Sequence, residues 1–239
     1  MIDDVLNLAM ELIRYPSVTP HDRGCQEVLI QFLTHRGFHI QQYPHQDTSN
    51  FWAIIGHQGP VFCFAGHTDV VATGPLNAWD SDPFTPVIRD DHLWGRGAAD
   101  MKGGLAAMCV ASDYFLRQHP NFNGRIAFLI TSAEEGPSET GTPIVLSALK
   151  DQNIPIDYCL IGEPTAVHKG GDMIKHGRRG SLSGRLTIKG KQGHIAYPQL
   201  AKNPIHAVVP ALNEFIHKAW DEGSPDFQPT SLQVSNIHA

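Results

Sequence analysis

His67 and Asp69 stand two residues apart in GHTDVV, directly after the apolar run VFCFAG (61–66). On extended chain that spacing puts both side chains on one face. The carboxylate can then accept an imidazole N–H and fix the tautomer that leaves the other ring nitrogen for a metal. Glu134 and Glu135 follow RIAFLIT (125–131), and Glu163 follows DYCLIG (157–162). Each run is short, rich in β-branched or aromatic residues and bounded by Gly or Pro, which predicts a buried parallel strand. Open α/β sheets bind ligands beyond the carboxyl ends of their strands. Three strand ends therefore predict one rim that carries a histidine and several carboxylates, as a metal hydrolase requires.

Taken singly, these residues are ambiguous. Asp100 lies between GRGAA and a segment beginning MKGG. A helix N-terminus favours a carboxylate, so the local sequence predicts a plain N-cap, whereas the chemical alternative is a carboxylate bridging two cations. Glu134 and Glu135 are adjacent, and neighbouring side chains at a strand end point apart; one can hold a metal while the other moves a proton. Glu163 precedes Pro164, which restricts the local chain. One imidazole plus carboxylates suits Zn²⁺, Mn²⁺ or Co²⁺, and the thiolates of a structural zinc site are missing from the pattern. Two ions sharing a carboxylate at about 3.5–4 Å would use this many acids better than one ion.

The elements that must position these residues are legible as periodicities. Asp3 and Asp4 begin an amphipathic helix that stops before Pro16, and a second helix fits 22–36 up to Gly37. FHIQQY alternates like an edge strand, and NFWAIIG and the run ending at Gly66 follow as strands. A Gly-Gly-containing helix (MKGGLAAMCVASDYFLRQ), GRIAFLIT, a helix around 140–151 and DYCLIGEP continue a β–α–β alternation. That order predicts an α/β fold, a mostly parallel sheet flanked by helices. Near HGRRGS (176–181) the character changes. SLSGRLTIKGKQG has a period-2 pattern, Asn203-Pro204 opens a helix from Ile205 to Trp220 that contains Pro210, and TSLQVSNIHA reads as another strand. The expected division is a catalytic domain over 1–178 and an incomplete α+β lid or dimerisation domain over 179–239.

The composition is that of an ordinary globular chain of 239 residues, and a net charge of −6 without a Lys/Arg run speaks against a nucleic-acid partner. Three of the four cysteines sit in apolar runs and read as small buried hydrophobes in a reducing compartment. MIDDVLNL lacks the basic residues of a signal peptide and no apolar stretch reaches spanning length, so the expectation is a cytoplasmic protein with no membrane partner.

GHTDVV, WDSDPF, LWGRGAADMKGG, TSAEEG, IGEPT and GRRGSLSGRLTIKGKQGHIAYP together resemble the two-zinc aminoacylase/carboxypeptidase family, whose members cleave amide bonds of N-acyl amino acids and peptides. The resemblance extends over the whole chain and implies a zinc-exopeptidase-like catalytic domain with two Zn²⁺, replaceable by Co²⁺ or Mn²⁺. It implies that His67 and Glu163 each bind one zinc with Asp100 bridging, and that Glu135 binds the other. It further implies that Glu134 is the general base, that Asp69 orients His67, and that His194 donates to the oxyanion across a homodimer. Lys175, Arg178 and Arg179 form a basic cluster, equally well read as solvated charge or as a grip on substrate carboxylates; Tyr197 lies beside His194. The expected substrate is a small N-acyl amino acid, with a succinyl amide favoured over an acetyl amide or a dipeptide. A non-catalytic dimerisation protein is the alternative from another class. The family pattern also needs one more zinc-binding histidine in a C-terminal stretch. His206, His217 and His238 do not match it, so the 239 residues read as a fragment with little activity of its own.

Overall fold

A computed structural model describes residues 1–136 and 138–238. The chain forms two compact units, Met1–Met173 and Ile174–Ala239. The first contains helices α1 (Ile2–Ile13) and α2 (Cys25–Thr34), strands β1 (His39–Gln42), β2 (Asn50–Ile55) and β3 (Val61–His67), and the hairpin β4 (Val87–Arg89) and β5 (His92–Trp94). It continues through α3 (Gly103–Gln118), β6 (Arg125–Thr131), α4 (Thr142–Asp151) and β7 (Tyr158–Ile161). The main sheet has the order β1-β2-β6-β3-β7. β2 runs antiparallel to both β1 and β6, whereas β3 runs parallel to β6 and β7. One strand is therefore reversed and four point the same way, which bears out the mostly parallel α/β sheet.

The sheet is central because both of its faces are apolar. On β6, Ile126, Phe128 and Ile130 join Phe51, Ala53 and the buried faces of α1, α2 and α3 in one core. The alternate residues Ala127 and Leu129 join Trp52, Val61, Cys63 and the α4 residues Val145 and Leu149 in the other. A strand covered on both faces needs a continuous apolar run rather than an alternating one, and RIAFLIT is such a run. Each large apolar side chain removed from water contributes about 1.5–3 kcal/mol, so β6 is the strand least free to move and the firmest base for the loop that follows it.

Three expectations change. DYCLIG does not form a buried strand: all four residues of β7 are exposed, and among the described residues β7 pairs only with β3, at the sheet edge, and joins neither core. With it, Cys159 is exposed, while Cys25, Cys63 and Cys109 are buried. In the second unit, the described residues of 181–190 and 230–238 carry no strand. A period-2 pattern becomes a strand only when a neighbouring chain takes its N–H and C=O groups, and here the ladder is limited to an isolated bridge between Lys191 and Lys202. The helix of this unit, α5 (Pro204–His217), is capped by Asn203, whose side chain accepts the Ile205 and His206 amides. It runs through Pro210 and ends at His217, short of the expected Trp220. No helix among the described residues is long and apolar enough to cross a membrane.

Candidate metal centre

The last residue of β3 is His67, and its ring is buried, 1% exposed. Its Nδ1 lies 2.9 Å from the Asp69 backbone oxygen and 3.5 Å from Asp69 Oδ1. A carbonyl oxygen only accepts, so Nδ1 carries the hydrogen, and in the neutral ring Nε2 holds a lone pair. Around Nε2 stand Asp100 Oδ1 at 3.1 Å, Glu163 Oε1 at 3.4 Å and Glu134 Oε2 at 4.0 Å. The atom is nonetheless buried without a hydrogen-bond partner. Its ligand atom groups with those of Asp100 and Glu135, and separately with those of Glu134 and Glu163, all within 4.8 Å of one another.

The three strand ends thus converge as the sequence predicts, through devices the sequence did not display. The β3 end is pinned to β6 by the Thr68 amide donating to the Thr131 carbonyl at 2.9 Å. Beneath it, Ser17 Oγ donates to the Thr68 carbonyl at 2.6 Å, and Thr68 Oγ1 donates to the buried Asp22 at 2.8 Å. The Asp69 carboxylate accepts the backbone N–H groups of Glu134 at 3.2 Å and Glu135 at 3.0 Å. One side chain therefore faces His67 and also fixes the loop that presents both glutamates.

Asp100 is not an N-cap. Its backbone is extended (φ −123°, ψ 100°), the peptide to Met101 is cis, and α3 begins only after Lys102 with no side-chain cap. A cap would turn the carboxylate back onto the helix amides; here it faces the His67 ring. Two glycines allow this packing. A Cβ on Gly66 would come 2.5 Å from Met101 Cε, and one on Gly104 would come 2.5 Å from the Gly162 carbonyl oxygen. Lys102 was unremarkable in the sequence, yet it is fully buried and donates to the Leu12 and Tyr15 carbonyls at 2.9 and 2.8 Å. Ser17, Thr68 and Lys102 show no local sign of this support, because the partners that matter lie in other elements, whereas Asp22 also accepts the nearby Gly24 and Gln26 amides at the start of α2.

The electrostatics fit a cation. Burial opposes a charge on His67, but the hydrogen bonds and charge of Asp69, aided by Glu163, outweigh it and raise the imidazole to about 9. Burial also opposes ionisation of Asp69, yet its bonds from His67 and the two loop amides hold its carboxyl below the usual range. Glu135 and Glu163 are both pushed up, first by burial and then by the neighbouring carboxylates. A buried ring nitrogen that holds a proton this strongly, facing mutually repelling carboxylates, marks a site where a divalent cation would take the proton's place. Asp100 and Glu135 share one such group with His67, and Glu134 and Glu163 share the other.

In the second unit Lys175, Arg178, His194 and Tyr197 are exposed. His194 Nδ1 accepts the Ala196 amide at 3.1 Å, which leaves the proton of the neutral ring on Nε2. The Tyr197 amide donates to the His194 carbonyl at 2.9 Å. Arg179 donates to the carbonyls of Gln228 and Pro229, each at 3.0 Å.

The chain is 56% identical over 236 residues to a succinyl-diaminopimelate desuccinylase of Acinetobacter baumannii (strain ACICU), covering 99% of this chain and 62% of that protein. It is equally similar, 56% over 234 residues, to a protein of the same name from Shewanella pealeana, covering 98% and 61%. The chain therefore spans about three fifths of the length of these relatives. Among solved structures, human carnosine dipeptidase 1 superposes with a TM-score of 0.59 at 25% identity, over 66% of this chain and 38% of that one. A tripeptidase from Staphylococcus aureus shares the fold with a TM-score of 0.61 at 19% identity, over 92% and 58%. The sequence profile of Peptidase family M20/M25/M40 matches residues 63–235, so the match takes in every strand-end acid as well as the second unit. By that match, and with a metal-type donor set at the three strand ends, this chain belongs to Peptidase family M20/M25/M40.

Proposed function

We propose that this chain carries the larger part of a metal-dependent amide hydrolase that releases succinate from N-succinyl-L,L-2,6-diaminopimelate. The observation that carries the metal-dependent reading is the buried Nε2 of His67, without a hydrogen-bond partner and faced by Asp100, Glu134 and Glu163. The substrate follows from the names of relatives at 56% identity. His67, Asp100, Glu135 and Glu163 would hold two Zn²⁺, and Co²⁺ or Mn²⁺ would be able to substitute. Cations held there would supply Lewis acidity to the amide carbonyl and to the attacking water.

The remaining work falls to side chains of this protein. Asp69 holds the His67 tautomer through its backbone oxygen and fixes the glutamate loop through its carboxylate. Glu134 accepts the proton of the attacking water and returns it to the leaving amine nitrogen. His194, with its hydrogen on Nε2, donates to the tetrahedral oxyanion of the other subunit in a homodimer. Lys175, Arg178 and Tyr197 bind the substrate's carboxylates. Residues 1–178 act as the catalytic domain and 179–239 as part of a lid or dimerisation domain; the division of the fold at Met173 and Ile174 supports that boundary.

The test combines metal analysis with succinate release, on this chain and on a chain of its relatives' full length. The expected result is tight divalent-metal binding and succinate release by the longer chain, with little turnover by the 239 residues alone. Faster release of acetate from N-acetylornithine would move the substrate to a sibling deacylase. A longer chain that binds no metal would remove the hydrolase reading altogether.

A further inference from the structure

Cys63 on β3 and Cys159 on β7 are direct register partners in neighbouring parallel strands. Register partners point to the same face of a sheet, and parallel strands lie about 4.7–4.9 Å apart. That separation falls within the Cα range of a disulfide, roughly 4.4–6.8 Å, while the usual Cβ distance of about 3.5–4.5 Å asks for a small further approach. The two residues differ in access: Cys63 is fully buried in the core against α4, and Cys159 is exposed on the edge strand. The other two cysteines, Cys25 and Cys109, are buried elsewhere.

We propose that Cys63 and Cys159 form an oxidisable dithiol, in which the exposed Cys159 reacts first with a small-molecule disulfide and Cys63 closes the bridge. The chemistry balances in two exchanges. The Cys159 thiolate attacks one sulfur of the small disulfide, forms a mixed disulfide and expels one small thiolate. Cys63 then loses its proton and attacks Cys159 Sγ, and the second small thiolate leaves with that proton. Two protein thiols are oxidised to one cystine, and one small disulfide is reduced to two thiols.

The electrostatics favour this order. The interaction with Cys63 brings the Cys159 thiol down to about 7, outweighing the opposing effect of burial, so an exposed thiolate is available at neutral pH. Cys63 is pushed up by the same interaction and by burial, so it is the partner that keeps its proton. Burial drives Cys25 and Cys109 to about 12, which removes them as competitors. Each partner lies four positions before a strand-end residue, Cys63 before His67 and Cys159 before Glu163. A bridge would tie together the two strands that carry those residues. The dithiol itself does not depend on what the acids bind.

The test treats the chain with oxidised glutathione at neutral pH, counts free thiols after denaturation and maps cross-linked peptides by mass spectrometry without reduction. Two of the four thiols should disappear, in a single Cys63–Cys159 cross-link that dithiothreitol reverses. Cys63→Ala should instead accumulate the glutathione adduct on Cys159, and the exposed-site variant Cys159→Ser should keep its three thiols reduced. Four free thiols after treatment, a cross-link through Cys25 or Cys109, or unchanged thiol loss in Cys159→Ser would each overturn the proposal.

Discussion

His67 Nε2 and Asp100 Oδ1 lie 3.1 Å apart, the ring buried and the carboxylate half-exposed, with no hydrogen bond satisfying the nitrogen. The Nδ1 hydrogen is committed to the Asp69 carbonyl, so Nε2 faces oxygens that can only accept. Within the fold this contradiction is resolved by a proton on the ring or by a cation. The same strand ends that create it bring Glu135 and Glu163 to within reach.

Glu134→Gln keeps the size of the side chain and removes its ability to take a proton. On a chain of the relatives' full length, kcat should fall by about 10²–10⁴, the usual contribution of a positioned acid/base group. Metal content should stay unchanged. Turnover near that of the unmodified enzyme would mean that the proton moves through another group.

Asp69→Asn is predicted to act through what Asp69 holds. The amide can still accept one loop N–H but cannot serve both Glu134 and Glu135 as a carboxylate does. Metal affinity should weaken by about 10–100-fold, as is typical when a partner that orients a ligand is changed. Equilibrium metal titration with a chromophoric chelator reads this directly; an unchanged affinity would confine Asp69 to a packing role.

Lys102→Met removes the charged donor from the Leu12 and Tyr15 carbonyls at a fully buried position, leaving Leu12 with the Tyr15 amide and Tyr15 with the Ser17 amide. Each lost hydrogen bond from the charged donor should cost about 1.5–3 kcal/mol. Urea denaturation should show a lower midpoint with little change in slope. An unchanged midpoint would show that the buried ammonium contributes nothing net.

Alkylation of Cys159 by iodoacetamide should accelerate as pH rises through about 7, because the thiolate is the nucleophile and this thiol is held near that value. Cys25 and Cys109, driven to about 12 by burial, should remain unlabelled across the neutral range. Peptide-resolved labelling between pH 5 and 9 distinguishes them, and a Cys159 profile with its midpoint above 8 would contradict the thiol–thiol interaction.

Much of the fold and of the centre was legible locally. RIAFLIT had to be a central strand, because a run apolar at every position can satisfy both faces only inside a sheet. It runs into Glu134 and Glu135, as VFCFAG runs into His67 and Asp69 and DYCLIG into Glu163, so a rim of one histidine and several carboxylates followed from the pattern. Asp100 shows where local reading fails. Its sequence neighbours favour a helix cap, whereas the extended backbone at Asp100 and the close packing at Gly66 and Gly104 accompany a carboxylate that faces His67. Likewise DYCLIG has the composition of a buried strand, but burial depends on what packs on its faces, and no β7 residue joins either core.

The sequence by itself determined which residue types stand at the strand ends, the order of elements that builds a mostly parallel sheet, and the donor chemistry of the centre. These are properties of adjacent residues and of periods of two and 3.6, which a single chain displays openly. The tertiary structure alone decided that Nε2 of His67 is the buried, unpartnered atom, that Asp69 serves the histidine and the glutamate loop together, and that Lys102 and Thr68 support them from beneath. It alone decided that two cysteines far apart in the chain share one register. Each of those facts is a distance between elements, and distance across a fold is set by packing and hydrogen bonding that no local spacing encodes.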